Sequence, residues 1–374
     1  MHLGFDAKRL FNNFTGLGNY SRTLLRNLAE AAPENAYYLY SPKAERQDET
    51  EHFFGNPAYQ VITPPASRRL LWRSWGVKRE ISQHRLDLFH GLSHELPLGI
   101  RKTGVPAVVT MHDLIYRHYP NQYATFDNYV YQQKFSYACE NADLVVAISE
   151  STKADVQKFF GTPSEKIRVI YQSCDVRFML ERSPSAREEI ADRYKLPESF
   201  SLYVGSLIER KNLIGIVEAL ALLPENLRHP LVIVGGGGAA YRKKVEQRAY
   251  ELGVGKLLLF RKVDFDDLPV VYQMAETFLY PSFYEGFGIP IIEALNSGVP
   301  VITSNRSSLP EAAGPDSLLI DPEDYSQIAT AWQKSLEDQT LRERMIQNGR
   351  QYAKRFLAEP VTLQWLELYK DLAK

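Results

Sequence analysis

The chain has 374 residues, 44% of them hydrophobic and 24% charged, and its 44 basic and 45 acidic side chains leave a net charge of −1. That length suits two domains better than one, and the even charge balance gives no electrostatic reason for a nucleic-acid partner. Two cysteines, Cys139 and Cys174, exclude a disulfide scaffold and fit a reducing compartment.

In chain order, a first strand leads into NNFTGLGNYSRTLL (12–25), where Gly16 and Gly18 precede a helix predicted over 18–31. Such a turn is open to an anion at a helix start. As a dinucleotide fingerprint it fails, because Ser21 stands at the third glycine position. The segment RRLLWRSWGVKRE (68–80) sets five basic residues and two tryptophans against one acid. It reads equally as a contact for an anionic membrane or as a surface helix burying Trp72 and Trp75. FHGLSHELP (89–97) spaces His90 and His94 four apart, but Gly91 and Pro97 argue against the helix that would make the pair a zinc site. A strand over 107–116 carries His112 and Asp113 toward its carboxyl end. A helix over 124–141 and strands over 143–149 and 166–173 follow.

The stretch 176–199 is polar, holds Pro184 and Pro197, and shows no strand signal, so the domain break is placed there. Beyond it, strands are predicted over 201–207, 230–237, 256–260, 277–282 and 300–305, with helices over 213–222, 239–252 and 267–276. From 325 the chain is helical to its end. Repeated strand–helix–strand units mean parallel sheets covered on both faces. They occur twice, giving an α/β fold of two doubly wound, Rossmann-like domains facing across a cleft. The expected boundaries are 1–175, 176–355 and a last helix, 356–374, returning to the first domain.

The loop VGSLIERKNL (204–213) places Ser206, Arg210, Lys211 and Asn212 before a helix. A cation pair at a helix start is unfavourable unless an anion lies between. The plain alternative is a solvated loop capped by Asn212. VIVGGGGAAY (232–241) allows close approach of a flat or anionic group at Gly235, or is only a tight turn. In KVDFDDLPVVY (262–272), Asp264 and Asp266 read better as a helix start, with Asp266 the cap, than as a metal pair.

FYEGFGIPIIEALNSGVPVI (283–302) is apolar yet holds Glu285 and Glu293 with seven residues between them. Gly286 and Gly288 bare the backbone around Phe287, and Pro290 starts a helix that would carry Glu293 in its first turn. Carboxylates accept hydrogen bonds from adjacent hydroxyls, so each glutamate could hold a sugar.

Taken in order, GLGNYSRTLL, the HD pair at 112–113, YVGSLIERKNL and the Glu-x7-Glu of YEGFGIPIIEAL resemble the GT-B glycosyltransferases of family 4 (group 1), over nearly the whole chain. The resemblance implies a retaining, metal-independent hexosyltransferase using a nucleotide sugar and no cofactor. It makes His112, Glu285, Arg210 and Lys211 the catalytic set. It adds Gly16, Gly18, Ser206, Gly235, Val263, Gly286, Phe287, Gly288, Ile289 and Glu293 to the donor site, with Glu293 on ribose, Glu285 on the hexose and Lys211 on the diphosphate. Many members carry an arginine at the Ser206 position, and Arg210 is expected to share that role. QSCD (172–175) stands where Asn-Gly-Val-Asp is common. The likeness to bacterial mannosyltransferases of surface-polysaccharide assembly favours GDP-mannose as donor and a glycan or lipid-linked sugar as acceptor. A UDP-sugar transferase and, further off, a sugar-nucleotide epimerase remain as alternatives. The opening MHLGFDAKRLFNN has no signal-peptide core, and no uncharged apolar run reaches the ~20 residues of a membrane span. The expected location is the cytoplasm, with membrane contact, if any, peripheral and through 68–80.

Overall fold

The computed structural model describes residues 1–373, and the chain divides into two compact units, Met1–Ser173 with Ala358–Lys374 and Cys174–Leu357. The first unit is built on seven strands: β1 His2–Asp6, β2 Ala36–Tyr40, β3 Tyr59–Ile62, β4 Leu88–Gly91, β5 Ala107–Met111, β6 Leu144–Ala147 and β7 Ile167–Val169. All pair in parallel, in the order β3-β2-β1-β4-β5-β6-β7. The second holds β8 Ser201–Val204, β9 Leu231–Val234, β10 Leu258–Arg261, β11 Thr277–Tyr280, β12 Val301–Ser304 and β13 Leu318–Ile320. They are again all parallel, in the order β10-β9-β8-β11-β12-β13.

Short apolar runs make these strands because helices cover both faces of each sheet. Every residue of AVVTM in β5, LVIV in β9 and VITS in β12 is buried. The register is direct: Leu3 stands opposite Tyr37 on one side and Leu88 on the other. The last helix, Ala358–Leu372, belongs to the first unit, where Val361, Trp365, Leu368 and Tyr369 enter its core. Tyr369 Oη lies 2.7 Å from His90 Nδ1.

The predicted strands run long at their carboxyl ends, except 256–260, which is observed as Leu258–Arg261. The apolar run at 107–116 leaves the sheet after Met111, so His112 and Asp113 lie in the loop. The helix expected over 267–276 is only Leu268–Gln273. Its cap position is Asp267, not Asp266, whose carboxylate instead pairs with Arg177.

The 68–80 segment is not one helix. A 3-10 turn (Ala66–Arg68), a π turn (Trp72–Gly76) and the α-helix Val77–Gln83 share it, with Leu71 in the left-handed region at φ +62°. Only one of its tryptophans is buried: Trp72 donates Nε1–H to Glu80 Oε1 at 3.1 Å, whereas Trp75 is 58% exposed. Arg73, counted among the surface cations from sequence, turns inward to Asp6 and Glu95.

Candidate active site

In doubly wound sheets the ligand crevice lies outside the carboxyl ends of the strands, where the strand order reverses. In the second unit that point falls between β8 and β11. The loop after β8 supplies Arg210 and Lys211; the loop after β11 supplies Ser282 and Glu285. Four donors meet one oxygen of Glu285. Ser282 Oγ and Lys211 Nζ are 2.9 Å from Oε1, Arg210 Nη1 is 3.0 Å away and Tyr280 Oη 3.1 Å. Among the described residues nothing bonds Oε2. The carboxylate is thus locked by one oxygen and presents the other.

The two loops are stitched together through the backbone. The Phe283 amide and Ser282 Oγ both donate to the Arg210 carbonyl, at 2.9 and 3.1 Å, and Arg210 Nη1 donates to the Tyr284 carbonyl. The Glu285 amide donates to Ser307 Oγ at 3.1 Å, and Ser308 Oγ bonds the carbonyls of Glu285 and Phe287 at 2.9 and 2.8 Å. Burial would raise the Glu285 carboxyl, but the Lys211 ammonium and Arg210 guanidinium more than reverse this and hold it at about 2. One carboxylate between two cations leaves a surplus positive charge at the strand ends.

Glu293 lies on the helix Ile289–Asn296, in its second turn rather than the first, because the helix begins at Ile289. It is buried, accepts from Tyr272 Oη at 3.0 Å, and faces no cation. Burial pushes its carboxyl up to about 7, with the Tyr272 hydrogen bond opposing and Asp175 assisting. Just before the helix, Gly288 has φ +126°, a conformation that strains any side chain. The amides of Gly288 and Ile289 make no hydrogen bond within the described residues, as expected of a helix start that can receive an anion.

Of the remaining second-unit residues, Asn212 caps the helix Leu213–Leu222 by accepting from the Gly215 amide at 3.1 Å, in the left-handed region at φ +55°. Ser206 is exposed, whereas the Arg210 guanidinium is buried against Glu285, so the two do not occupy one place. Gly235 has a packing reason: a Cβ there would fall 2.0 Å from the Gly205 carbonyl oxygen. Val263 is half-buried just past β10.

In the first unit the order reverses between β1 and β4. His112, in the loop after β5, is buried, and its Nε2 faces the Leu92 carbonyl at 2.8 Å. That contact makes Nε2 the protonated nitrogen. Nδ1 is left to accept from the Gln172 amide at 3.3 Å. Burial, and then His94, drives the His112 ring down to about 3, so it is neutral at physiological pH. His94 is stacked on Phe135 at 4.4 Å and accepts the His112 amide through Nε2 at 3.0 Å. The glycines of the first helix differ. A Cβ at Gly18 would lie 1.6 Å from the Asn13 carbonyl oxygen, whereas one at Gly16 would meet nothing. The Asn13 side chain, two positions before the cap residue Thr15, accepts the Gly18 amide in the first turn of the helix Gly16–Ala31 at 3.0 Å.

Two family profiles divide the chain a few residues beyond the break between the two units: Glycosyltransferase Family 4 matches residues 14–178 and Glycosyl transferases group 1 matches residues 186–352. The O-antigen chain mannosyltransferase B of Escherichia coli is 30% identical over 399 aligned positions that span 100% of both chains. The chain belongs to the family 4, group 1 glycosyltransferases. A second relative, the O-antigen chain mannosyltransferase RfbU of Salmonella typhimurium, is 26% identical over 89% of each chain. Among solved structures, Anabaena HepE in complex with UDP and glucose superposes with a TM-score of 0.77 at 18% identity, covering 99% of this chain and 100% of that one. WaaG, a glycosyltransferase involved in lipopolysaccharide biosynthesis, gives 0.69 at 22% identity over 97% and 98%. These likenesses establish the GT-B fold.

Within this glycosyltransferase, Arg210, Lys211 and Glu285 are brought into contact, and Gly286–Ile289 form the lip beside them. Glu293 sits behind that lip with Tyr272. Four residues that hold the glutamates were not singled out from sequence: Tyr280, Ser282, Tyr272 and Ser308. A signal existed for two of them, since Tyr280 and Ser282 are the polar residues closing an otherwise apolar strand, TFLYPS. Gln172, the residue on His112, sits in the QSCD stretch. That stretch spans the boundary between the units, with Gln172 and Ser173 in the first and Cys174 and Asp175 in the second.

Proposed function

We propose that this glycosyltransferase moves mannose, from GDP-mannose and with retention, to a hydroxyl of a glycan or lipid-linked sugar in O-antigen or lipopolysaccharide assembly. The observation that carries the chemistry is the Glu285 carboxylate, pinned through Oε1 by Lys211, Arg210, Tyr280 and Ser282 with Oε2 open. An acceptor-only oxygen so fixed suits a hexose hydroxyl. The mannose assignment is supported by the full-length relative, itself an O-antigen mannosyltransferase.

As the bond from anomeric carbon to phosphate breaks, negative charge grows on the departing diphosphate. The surplus cation of the Arg210–Lys211–Glu285 cluster and the open amides of Gly288 and Ile289 would stabilise it in place of a metal. His112, neutral and donating to Leu92, is available to the sugar as a dipole rather than as an acid. Retention follows if the acceptor attacks from the face the diphosphate leaves, with a leaving phosphate oxygen taking the acceptor proton. Glu285 is then a positioning and electrostatic group; its hold at about 2 keeps it from acting as a proton shuttle. A screen of GDP-, UDP-, ADP- and dTDP-sugars by thermal shift, followed by turnover, tests the donor. Lys211→Ala and Glu293→Ala should abolish transfer while the fold survives, and near-normal turnover in either variant refutes the site.

Among the described residues no helix is long and apolar enough to cross a membrane. The exposed Leu70, Leu71 and Trp75, with exposed Arg68, Arg69 and Arg79 around them, suit contact with an anionic bilayer surface. Equal binding of Leu70→Asp/Trp75→Asp and the unaltered enzyme to anionic liposomes would refute it.

A further inference from the structure

Lys8 and Arg9 open the short helix Lys8–Asn12 that follows β1. Both are partly buried, and among the described residues neither side chain makes a hydrogen bond or ion pair. The charges around them are already matched. Arg73 lies between two carboxylates, 2.7 Å from Asp6 Oδ2 and 2.7 Å from Glu95 Oε2, and Lys134 Nζ reaches the same Glu95 oxygen at 2.9 Å. Two acids and two bases cancel there, so neither Asp6 nor Glu95 is left over to answer Lys8 and Arg9. Their charge has consequences. Burial lowers the Lys8 ammonium, and Arg73 and Arg9 lower it further against the pull of Glu95 and Asp6. Burial also holds His94 and His112 neutral, with Arg9 adding to the cost of charging either ring.

Two unanswered cations in a half-buried position repel each other and lose hydration, a cost that an anion between them would reverse. Their place in the fold is where a ligand belongs. Lys8 and Arg9 follow β1, His94 and Glu95 follow β4, and the strand order of this sheet reverses between those two strands.

We propose that Lys8 and Arg9 form a binding site for a phosphate-bearing group of the second substrate, the sugar acceptor. The assignment to the acceptor rests on the transferase reading above, in which the donor diphosphate is answered by Arg210, Lys211 and the Gly288–Ile289 amides.

The test is calorimetric titration of the full chain with inorganic pyrophosphate and, separately, with farnesyl diphosphate, each in the presence of saturating GDP to fill the donor site. Both probes should bind beside the nucleotide. Lys8→Ala/Arg9→Ala should weaken them tenfold or more while leaving GDP affinity unchanged, and Lys8→Arg/Arg9→Lys, which keeps both charges, should retain them. Tighter binding of farnesyl diphosphate assigns the anion to a lipid-linked acceptor; equal binding assigns it to a soluble phosphate ester. The proposal is overturned if neither probe binds alongside GDP, if GDP displaces them, or if the alanine variant binds them as well as the unaltered chain. The titration needs no turnover, so a failed transferase reading and a failed anion site are read separately.

Discussion

Glu293→Gln is expected to stabilise the protein and to weaken nucleotide binding, and both effects follow from the same burial. The carboxyl is raised from 4.5 to about 7 because it is desolvated and without a cation, with Asp175 adding like charge and only the Tyr272 hydrogen bond opposing. Between those pH values the folded chain keeps a proton that the unfolded chain has lost. Stability is therefore full below pH 4.5 and falls as pH rises toward 7. At about 1.4 kcal/mol per pH unit, the loss across that window is about 3 kcal/mol. Glutamine reproduces the neutral acid, can still accept from Tyr272, and has no charge to bury. The two proteins should melt together at pH 4.5, and at pH 8 the variant's second-unit transition should lie several degrees higher.

Nucleotide binding should move the other way. If Glu293 accepts from the ribose hydroxyls, the charged hydrogen bonds lost are worth about 1.5–3 kcal/mol, roughly ten- to a hundredfold in affinity. Scanning calorimetry at pH 4.5 and 8 and titration with GDP measure the two effects on one preparation. Identical melting at both pH values would show that the carboxyl is solvated like a surface acid, and the reasoning from burial would fail.

Other substitutions separate fold from site. Ser282→Ala removes one of four donors to Glu285 Oε1 and should lower kcat/KM for the donor about tenfold, with an unchanged melting temperature. Gly18→Ala drives a methyl into the Asn13 carbonyl and should cost about 1–3 kcal/mol of stability by urea unfolding. Gly16→Ala meets open space and should not lower stability, so a raised donor KM in that variant would report a phosphate contact alone. Gln172→Leu loosens His112 without charging it. It should lower kcat/KM while adding no new limb to the pH–rate profile between 5 and 8.

The architecture was legible because it depends on patterns within short windows. Apolar runs of four to six residues alternating with helical periodicity read as strands of covered parallel sheets, and Leu213–Leu222 matches its predicted span residue for residue. The motif loops were legible for the same reason, since glycines and prolines mark strand ends wherever the chain goes. What could not be read was which side chains meet. Arg210 and Lys211 reach Glu285 across more than seventy positions of sequence. Arg73 was counted as a surface cation because nothing near it in sequence announces Asp6 or Glu95. One of the two equal readings of 68–80 buried Trp75 with Trp72, but a left-handed Leu71 and a π turn break the helical phase that would have faced both rings inward.

The two glutamates show most clearly what spacing leaves undecided. From sequence they are equivalent acids with seven residues between them, and the tempting analogy is a pair sharing proton-transfer work. In the fold they are opposites. Glu285 is buried with two cations and two further hydrogen-bond donors, Ser282 and Tyr280, fixed around one oxygen, and it stays ionised throughout the physiological range. Glu293 is buried with a tyrosine hydroxyl and no cation, and it titrates near neutrality. A hexose hydroxyl meeting Glu285 finds a carboxylate already organised, so binding there should be insensitive to pH. A diol meeting Glu293 must favour the ionised form to be held. Binding there releases a proton below pH 7 and strengthens as pH rises to that point. The pH dependence of GDP affinity therefore belongs to Glu293. It should flatten in Glu293→Gln and persist in Ser282→Ala; a slope that survives the first substitution would mean the nucleotide's hydroxyls are held elsewhere.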